Sequence, residues 1–232
     1  MESIGERAAH VLGRVAQAAE RSGRKGEKIR LIAVGKTKPA EMIREAIEAG
    51  LSVFGENYVQ EAEEKIRAFP QAEWHFIGKL QRNKVKKAVS LFSWIQTVDS
   101  LSLLEEISRR AGEAGKVLPV LAEVNLAGEA SKAGMDPEAL VELIEAAPGL
   151  PGIRLKGLMA IPPWTEDPEE SRTYFVRLRE LLAGCVSRGG AGAQMTELSM
   201  GMSNDFEAAI EEGATMVRVG TAIFGSRVRR AT

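Results

Sequence analysis

The chain has 232 residues but one cysteine, Cys185, and two histidines, His10 and His75. A disulfide framework needs paired cysteines and a structural zinc site needs several Cys or His ligands, so neither staple is available to this fold. Charge of one sign is not in excess either. The 31 Lys and Arg stand against 32 Asp and Glu, a formal net charge of −1, which leaves no global cationic field to gather nucleic acid or anionic lipid. Any anion site must therefore be local. No apolar run approaches the ~18 residues a membrane span requires. The N-terminal stretch places Ile4, Ala8, Val11, Leu12, Val15 and Ala19 at helical spacing, which describes an amphipathic helix and not a signal peptide. A cytoplasmic protein without nucleic-acid or membrane partners is the expectation.

What is present is the composition of an ordinary globular protein, 44% hydrophobic and 27% charged. A chain of this length buries roughly 70% of its unfolded surface and needs no covalent help. Short apolar runs alternate with longer helical patterns. Strands are predicted at 29–34, 51–54, 73–77, 94–97, 117–124, 155–159, 197–200 and 216–219, and helices at 39–49, 59–68, 101–111, 137–146, 168–183 and 205–212. Such alternation predicts right-handed βαβ units and a parallel sheet. Eight units of about 25 residues fit the lower size of a (β/α)8 TIM barrel. The rival, a doubly wound open sheet, would carry G-x-G-x-x-G after its first strand, and none is there. One barrel domain over 1–232, with an extra N-terminal helix (1–24) packed on it, is expected.

In a barrel the chemistry sits where the strands end. The apolar runs here end in or carry Lys36, Asn57, His75, Gln96 and Thr97, Asn125, Met159, Ser199 and Ser203, and Arg218 with Gly220 and Thr221. Any one of these has a plain structural use as a cap or a turn; it is their accumulation at one mouth that points to a site. The last two segments, LSMGMSND and VRVGTAIFG, suit a phosphate. Small residues let backbone N–H groups approach an anion, hydroxyls add donors, and a helix N-terminus adds partial positive charge. A Ser203 or Asn204 helix cap would use the same N–H groups.

Lys36 follows LIAVG, where a half-buried ammonium needs water, an anionic partner or a chemical task; a desolvated amine titrates low and forms Schiff bases with aldehydes. Lys38 is already leaving the strand before Pro39. Arg218 shares a strand face with Gly220 and should point into the barrel, either to a ring nitrogen or carboxylate of a ligand or to a buried salt bridge with Glu56, Glu123 or Glu197. His75 reads as a satisfied core histidine, the commoner case, or as a general base.

Taken together, AVGKTKP (33–39), FGENYVQE (54–61), WHFIGKLQRNK (74–84), GLMAIPP (157–163), LSMGMSND (198–205) and VRVGTAIFG (217–225) resemble the pyridoxal phosphate homeostasis proteins. These are single-domain barrels similar to the N-terminal domain of alanine racemase, and they bind pyridoxal 5′-phosphate (PLP). The resemblance covers residues 29–227. It implies that Lys36 forms a covalent imine with PLP, that Arg218 faces the pyridine nitrogen, and that Asn57 and His75 line the ring. Met159, Ser199, Met200, Ser203, Gly220 and Thr221 complete the implied cofactor-binding set. Gly35 departs from the Ser usual in the family, and a loosened surrounding without loss of the imine is expected there.

The function so implied is PLP binding without robust catalysis: the protein masks a reactive aldehyde and supplies PLP to apo-enzymes, as a monomer. The chain runs to Thr232 and has only Tyr58 and Tyr174 as tyrosines, so the second catalytic domain and opposing base of a racemase are expected to be missing. A PLP-dependent racemase using Tyr58, His75 or a partner's base is the alternative, and a Schiff-base aldolase for a sugar phosphate is a third reading. Lys79, Arg82, Lys84, Lys86 and Lys87 form a basic segment read either as a solvated face or as a docking patch for acidic partners or a second phosphorylated vitamer.

Overall fold

The computed structural model describes residues 2–128 and 133–226. Met1 and residues 227–232 of the expected domain lie outside the described residues. Eight parallel strands close into a barrel in sequence order: β1 (Arg30–Val34), β2 (Val53–Glu56), β3 (Glu73–Phe76), β4 (Trp94–Val98), β5 (Leu118–Glu123), β6 (Ile153–Met159), β7 (Glu197–Ser199) and β8 (Met216–Val219). The connecting helices are α2 (Ala40–Glu48), α3 (Val59–Ala68), α4 (Val85–Leu91), α5 (Leu101–Glu113), α6 (Leu140–Ala146), α7 (Arg172–Ser187) and α8 (Phe206–Glu211), with a single turn, α9 (Thr221–Phe224), after β8. The closed (β/α)8 barrel is thus the fold, and β1 pairs with β8 where an open sheet would show an edge.

The N-terminal helix α1 (Ile4–Arg21) begins with a capping box, in which Ser3 Oγ accepts from the Glu6 N–H at 3.1 Å and the Glu6 carboxylate accepts from the Ser3 N–H at 2.7 Å. Its face of Ile4, Ala8, Val11, Val15, Ala18 and Ala19 is buried against α2, α8 and α9. Leu12, counted with that face in the sequence, is 42% exposed. It falls one residue beyond the stripe that touches the barrel. Arg7 Nε donates to the Ile223 carbonyl at 2.6 Å and ties α1 to α9.

Two apolar layers follow from the period-two alternation of strands. Outward-facing residues such as Ala33, Phe54, Trp74, Phe76 and Val219 meet the helices in the main core. Inward-facing Ile32, Leu121, Met159 and Met216 make a small separate cluster inside the barrel. Val53 and Trp94 pack against it, and the interior also holds the buried polar residues His75, Gln96, Ser199 and Arg218.

Three local differences from the sequence reading have simple causes. β2 begins at Val53 instead of Leu51, since Gly50 and Leu51 serve the turn that closes α2. The helix before β7 opens with a 3-10 turn at Pro168–Ser171, where the Asp167 carboxylate accepts from the Glu169 N–H. The basic segment runs into α4, whose Val85, Ala88 and Val89 are buried at i, i+3 and i+4. Among the described residues no helix is long and apolar enough to cross a membrane, and no cluster of three metal-ligating side chains occurs.

Candidate functional site

Alternation along the strands stacks inward-facing side chains in tiers, and each step of two residues descends about 6.6 Å into the barrel. The uppermost tier opens on a cavity of about 320 Å³ at the C-terminal ends of the strands. Of the ten expected site residues, Lys36, Asn57, Ser203, Arg218, Gly220 and Thr221 line it. The other four lie elsewhere. His75 and Ser199 sit one tier down, fully buried; it is Ile77, two residues on and just past the end of β3, that reaches the cavity. Met159 belongs to the inner apolar cluster. Met200 follows Ser199 by one residue, so its side chain turns outward into the core shared with the helices.

The turn carrying Lys36 is tightly held. The Gly35 N–H donates to Gly55 and its carbonyl accepts from the Lys38 N–H, both at 3.0 Å. Between the lysines, Thr37 adopts a φ of 64°, a region where a β-branched residue costs about 1–2 kcal/mol. Its N–H donates to the Glu61 carboxylate at 2.5 Å. Lys38 leaves the cavity: its Nζ donates to the carbonyls of Phe224 and Gly225 at 3.2 and 2.9 Å, at the C-terminal end of α9 where a cation is favoured. Lys36 is half-buried and lines the cavity. Beneath it, Lys65 Nζ donates to Glu56 Oε1, Glu61 Oε1 and the Gly35 carbonyl at 2.7, 2.7 and 2.8 Å. Gly35 is not loosely surrounded, because a Cβ there would lie 2.7 Å from Ile43 Cδ1 and 3.1 Å from Glu56 Oε1.

Arg218 makes no salt bridge within 4.0 Å to any of the three carboxylates the sequence offered. Glu56 pairs with Lys65, Glu197 accepts from Thr215 Oγ1 at 2.7 Å, and Glu123 acts on Arg218 only through its charge. The guanidinium instead donates to Ser199 Oγ at 2.7 Å and to the Ala160 carbonyl at 2.9 Å. Burial lowers its pKa to about 10, with Glu123 and Asp205 pulling the other way, so it remains cationic at neutral pH. Burial likewise pushes Glu123 up to about 7 against the attraction of Arg218.

The loops after β7 and β8 meet through one hydroxyl. Ser203 Oγ accepts from the N–H groups of Gly220 and Ala222 at 3.1 and 3.3 Å, at the start of α9. Since the oxygen is used as acceptor, its proton is left to donate. Asp205 Oδ1 accepts from the Met202 N–H at 2.6 Å and fixes the β7 loop from the other side. Gly201 shapes that loop: its φ is +89°, and a Cβ would stand 2.5 Å from Ala209 Cβ. Across the mouth, Asn57 Oδ1 is buried with no hydrogen-bond partner among the described residues. The donor set therefore comprises an amine, a guanidinium and a hydroxyl-and-glycine cradle, beside one orphaned acceptor. That chemistry fits a phosphorylated aromatic aldehyde.

The sequence reading missed the cavity's apolar wall. Ile77, Ile161 and Trp164 line it, and the last two are 44% and 73% exposed at its rim. Period two from His75 leads to Ile77, whereas the residues of the loop after β6 carry no periodic signal. Asn204 Nδ2 donates to the Thr165 carbonyl at 3.1 Å and ties that loop to the β7 loop. Tyr58, Lys79 and Lys84 line a second cavity that shares Asn57 with the first. Lys87 of the basic segment pairs with Glu63.

Residues 10–228 match the family described as "Alanine racemase, N-terminal domain". A protein of Aquifex aeolicus named pyridoxal phosphate homeostasis protein is 47% identical over 224 residues, covering 96% of this chain and 97% of the relative. The chain belongs to the pyridoxal phosphate homeostasis protein family. A Pseudomonas aeruginosa relative of the same name is 46% identical over 98% of this chain and 97% of its own length. The name denotes no reaction. Among solved structures, PipY of Synechococcus elongatus with PLP bound superposes with a TM-score of 0.81 at 40% identity, covering 91% of this chain and all of that one.

Proposed function

We propose that this protein binds PLP, holds its aldehyde as an imine on Lys36 and takes part in PLP homeostasis by keeping that aldehyde masked and supplying it to apo-enzymes, as a cytoplasmic monomer. One observation carries the reading: Lys36, Arg218 and the Ser203–Gly220–Thr221 cradle line one cavity of about 320 Å³. When bound, PLP contributes a carbonyl carbon that forms a C=N bond with a primary amine as water leaves. The chain's own residues do the rest. Lys36 presents the amine from a turn pinned by Glu61, Lys65 and Gly55. Arg218 can only donate, so it faces a ring nitrogen through that atom's lone pair and opposes its protonation, which weakens the ring as an electron sink. The Ser203 and Thr221 hydroxyls, with the Thr221 N–H beside the two N–H groups that Ser203 already engages, would hold the phosphate, and Asn57 Oδ1 offers an acceptor for a ring hydroxyl.

The racemase alternative needs a second base facing the first across the substrate. The geometry of this chain's own two candidates does not support it. Tyr58 lines the neighbouring cavity, and His75 lies below the site with both ring nitrogens engaged by Glu73 and Gln96 at 2.7 Å. The names of the relatives likewise denote a homeostatic role.

The absorbance spectrum of purified protein, with and without borohydride, tests the reading. A visible band lost on reduction, with the mass of reduced PLP mapped to Lys36 and absent from Lys36→Ala, is expected. Label on Lys38, or no adduct after incubation with PLP, would refute it. A band in protein as purified removes the aldolase reading, and α-deuterium exchange into amino acids at the rate of a dedicated enzyme would restore the racemase.

A further inference from the structure

A single file of hydrogen bonds runs down the barrel axis from the cavity. Arg218 Nη1 donates to Ser199 Oγ at 2.7 Å, Ser199 Oγ donates to Gln96 Oε1 at 2.6 Å, Gln96 Nε2 donates to His75 Nδ1 at 2.7 Å, and His75 Nε2 lies 2.7 Å from Glu73 Oε1. Ser199, Gln96 and His75 are 0% exposed and Arg218 is 4% exposed, so water meets the file only at its lower end, where the Glu73 side chain is 36% exposed.

Its direction is set from both ends. A guanidinium only donates and a carboxylate only accepts, so each neutral link must pass the polarity on. Ser199 has one proton; giving it to Gln96 leaves its lone pairs for Arg218. The Gln96 amide NH₂ can only donate, so His75 Nδ1 accepts and its proton sits on Nε2, facing Glu73. Turning the amide over would place its NH₂ against Ser199, leave the Ser199 proton beside a cation, and require protons on both nitrogens of His75. With His75 neutral, one arrangement satisfies every group. A fully satisfied buried network of this kind orders its members cooperatively.

We propose that Gln96 and His75 are positioning residues for Arg218: they fix the proton direction at Ser199, and through it aim the remaining guanidinium N–H groups at the cavity. This rests on the PLP reading for its purpose, though not for its geometry. Trp94 stacks on the His75 ring at 5.5 Å and 20°. The charged groups facing the lower end are Glu73, with Arg30 Nη1 4.0 Å from it, and Lys28. Burial holds the imidazole neutral by lowering its pKa, with Glu73 opposing.

The test compares His75→Leu, which removes the acceptor, with His75→Asn, whose Oδ1 restores one near the place of Nδ1. Ile107→Ala, in the core between α5 and the barrel, serves as a control for lost stability. Without PLP, ¹⁵N NMR should show His75 as the neutral Nε2–H tautomer and Arg218 side-chain protons protected from exchange. That protection should fall by about tenfold or more in His75→Leu, stay near wild type in His75→Asn, and be unmoved in Ile107→Ala. With PLP, Kd should rise about tenfold and the visible band should shift in His75→Leu alone. A His75 proton on Nδ1, or Arg218 protection equal in wild type and His75→Leu, would overturn the proposal. Wild-type protein that shows the tautomer and the protection yet takes up no PLP would uphold the file and defeat the PLP reading.

Discussion

Lys65 Nζ donates to the Gly35 carbonyl at 2.8 Å, directly under the residue that precedes Lys36, while holding Glu56 Oε1 at 2.7 Å. The Lys65 side chain is 6% exposed and that of Glu56 0%. Removing one partner of such a pair strands a buried charge, at a cost of about 3–5 kcal/mol, whereas replacing both is often near neutral. Lys65→Met is therefore expected to destabilise the fold by that amount at pH 8, and Lys65→Met with Glu56→Leu to regain most of it. Burial already pushes Glu56 up to about 7 against the pull of Lys65. The single variant should consequently recover stability as the pH falls and Glu56 takes a proton in the folded state. Urea unfolding at pH 6 and 8 measures both effects, and a deficit independent of pH would contradict the account.

Ser203 joins the two phosphate-type loops through one oxygen, accepting from Gly220 and Ala222. Ser203→Ala leaves two N–H groups without that acceptor, costing about 1–2 kcal/mol, and removes a donor facing the cavity. PLP affinity should fall about ten- to a hundredfold, while Ser203→Thr keeps the hydroxyl and most of the affinity. Spectrophotometric titration with PLP decides. Loss of stability with unchanged affinity would confine Ser203 to a structural role.

Much of this was legible in the residues because barrels repeat one rule. Eight apolar runs separated by helical patterns became eight strands, and Lys36, Asn57, Arg218 and Gly220 arrived at the mouth. Depth was less legible. His75, Gln96 and Ser199 looked like strand-end residues, yet strands of different length and stagger reach the mouth at different points, and only pairing registers such as Gly55 with His75 reveal the tier. The basic residues lie at spacing that could line a helix face, and α4 forms there; its buried stripe of Val85, Ala88 and Val89 spans five positions, too short to set the helix bounds from periodicity alone. Spacing before Pro39 already favours Lys36 over Lys38, and the fold adds where Lys38 goes, to the Phe224 and Gly225 carbonyls at the end of α9.

Glu123, beside Arg218 in charge though not in hydrogen bonding, makes the fold sensitive to pH in a stated direction. Its pKa in the folded state is raised to about 7, against about 4.3 unfolded. Between those values the folded state binds the extra proton, so its contribution to stability is fullest below pH 4 and is lost as pH rises through 7. The loss is at most about 4 kcal/mol. Glu123→Gln should reduce the decline in unfolding free energy from pH 5 to pH 8, leaving the share that belongs to Glu56. An unchanged slope in the variant would show that Glu123 is already ionised at pH 5.

Gly201 in the loop after β7 and Gly220 after β8 make opposite predictions on substitution to alanine. Gly201 has a φ of +89°, and a Cβ would meet Ala209 Cβ at 2.5 Å and Phe206 Cα at 2.9 Å. The backbone cost of about 1–2 kcal/mol and the overlap add, because neither α8 nor the loop can retreat without disturbing the buried Phe206. Gly201→Ala should therefore lower the unfolding free energy by more than about 2 kcal/mol, or about 4 °C or more in Tm. Gly220 has a negative φ of −115°, and its nearest neighbour would be Val34 Cβ at 3.4 Å, an ordinary contact. Gly220→Ala should fold within about 1 kcal/mol of wild type. Because the added methyl sits at the cavity wall beside Ser203, its effect should appear in PLP affinity. Thermal unfolding and PLP titration of the two variants separate a glycine required by the fold from one required by the ligand, and equal Tm losses would contradict that division.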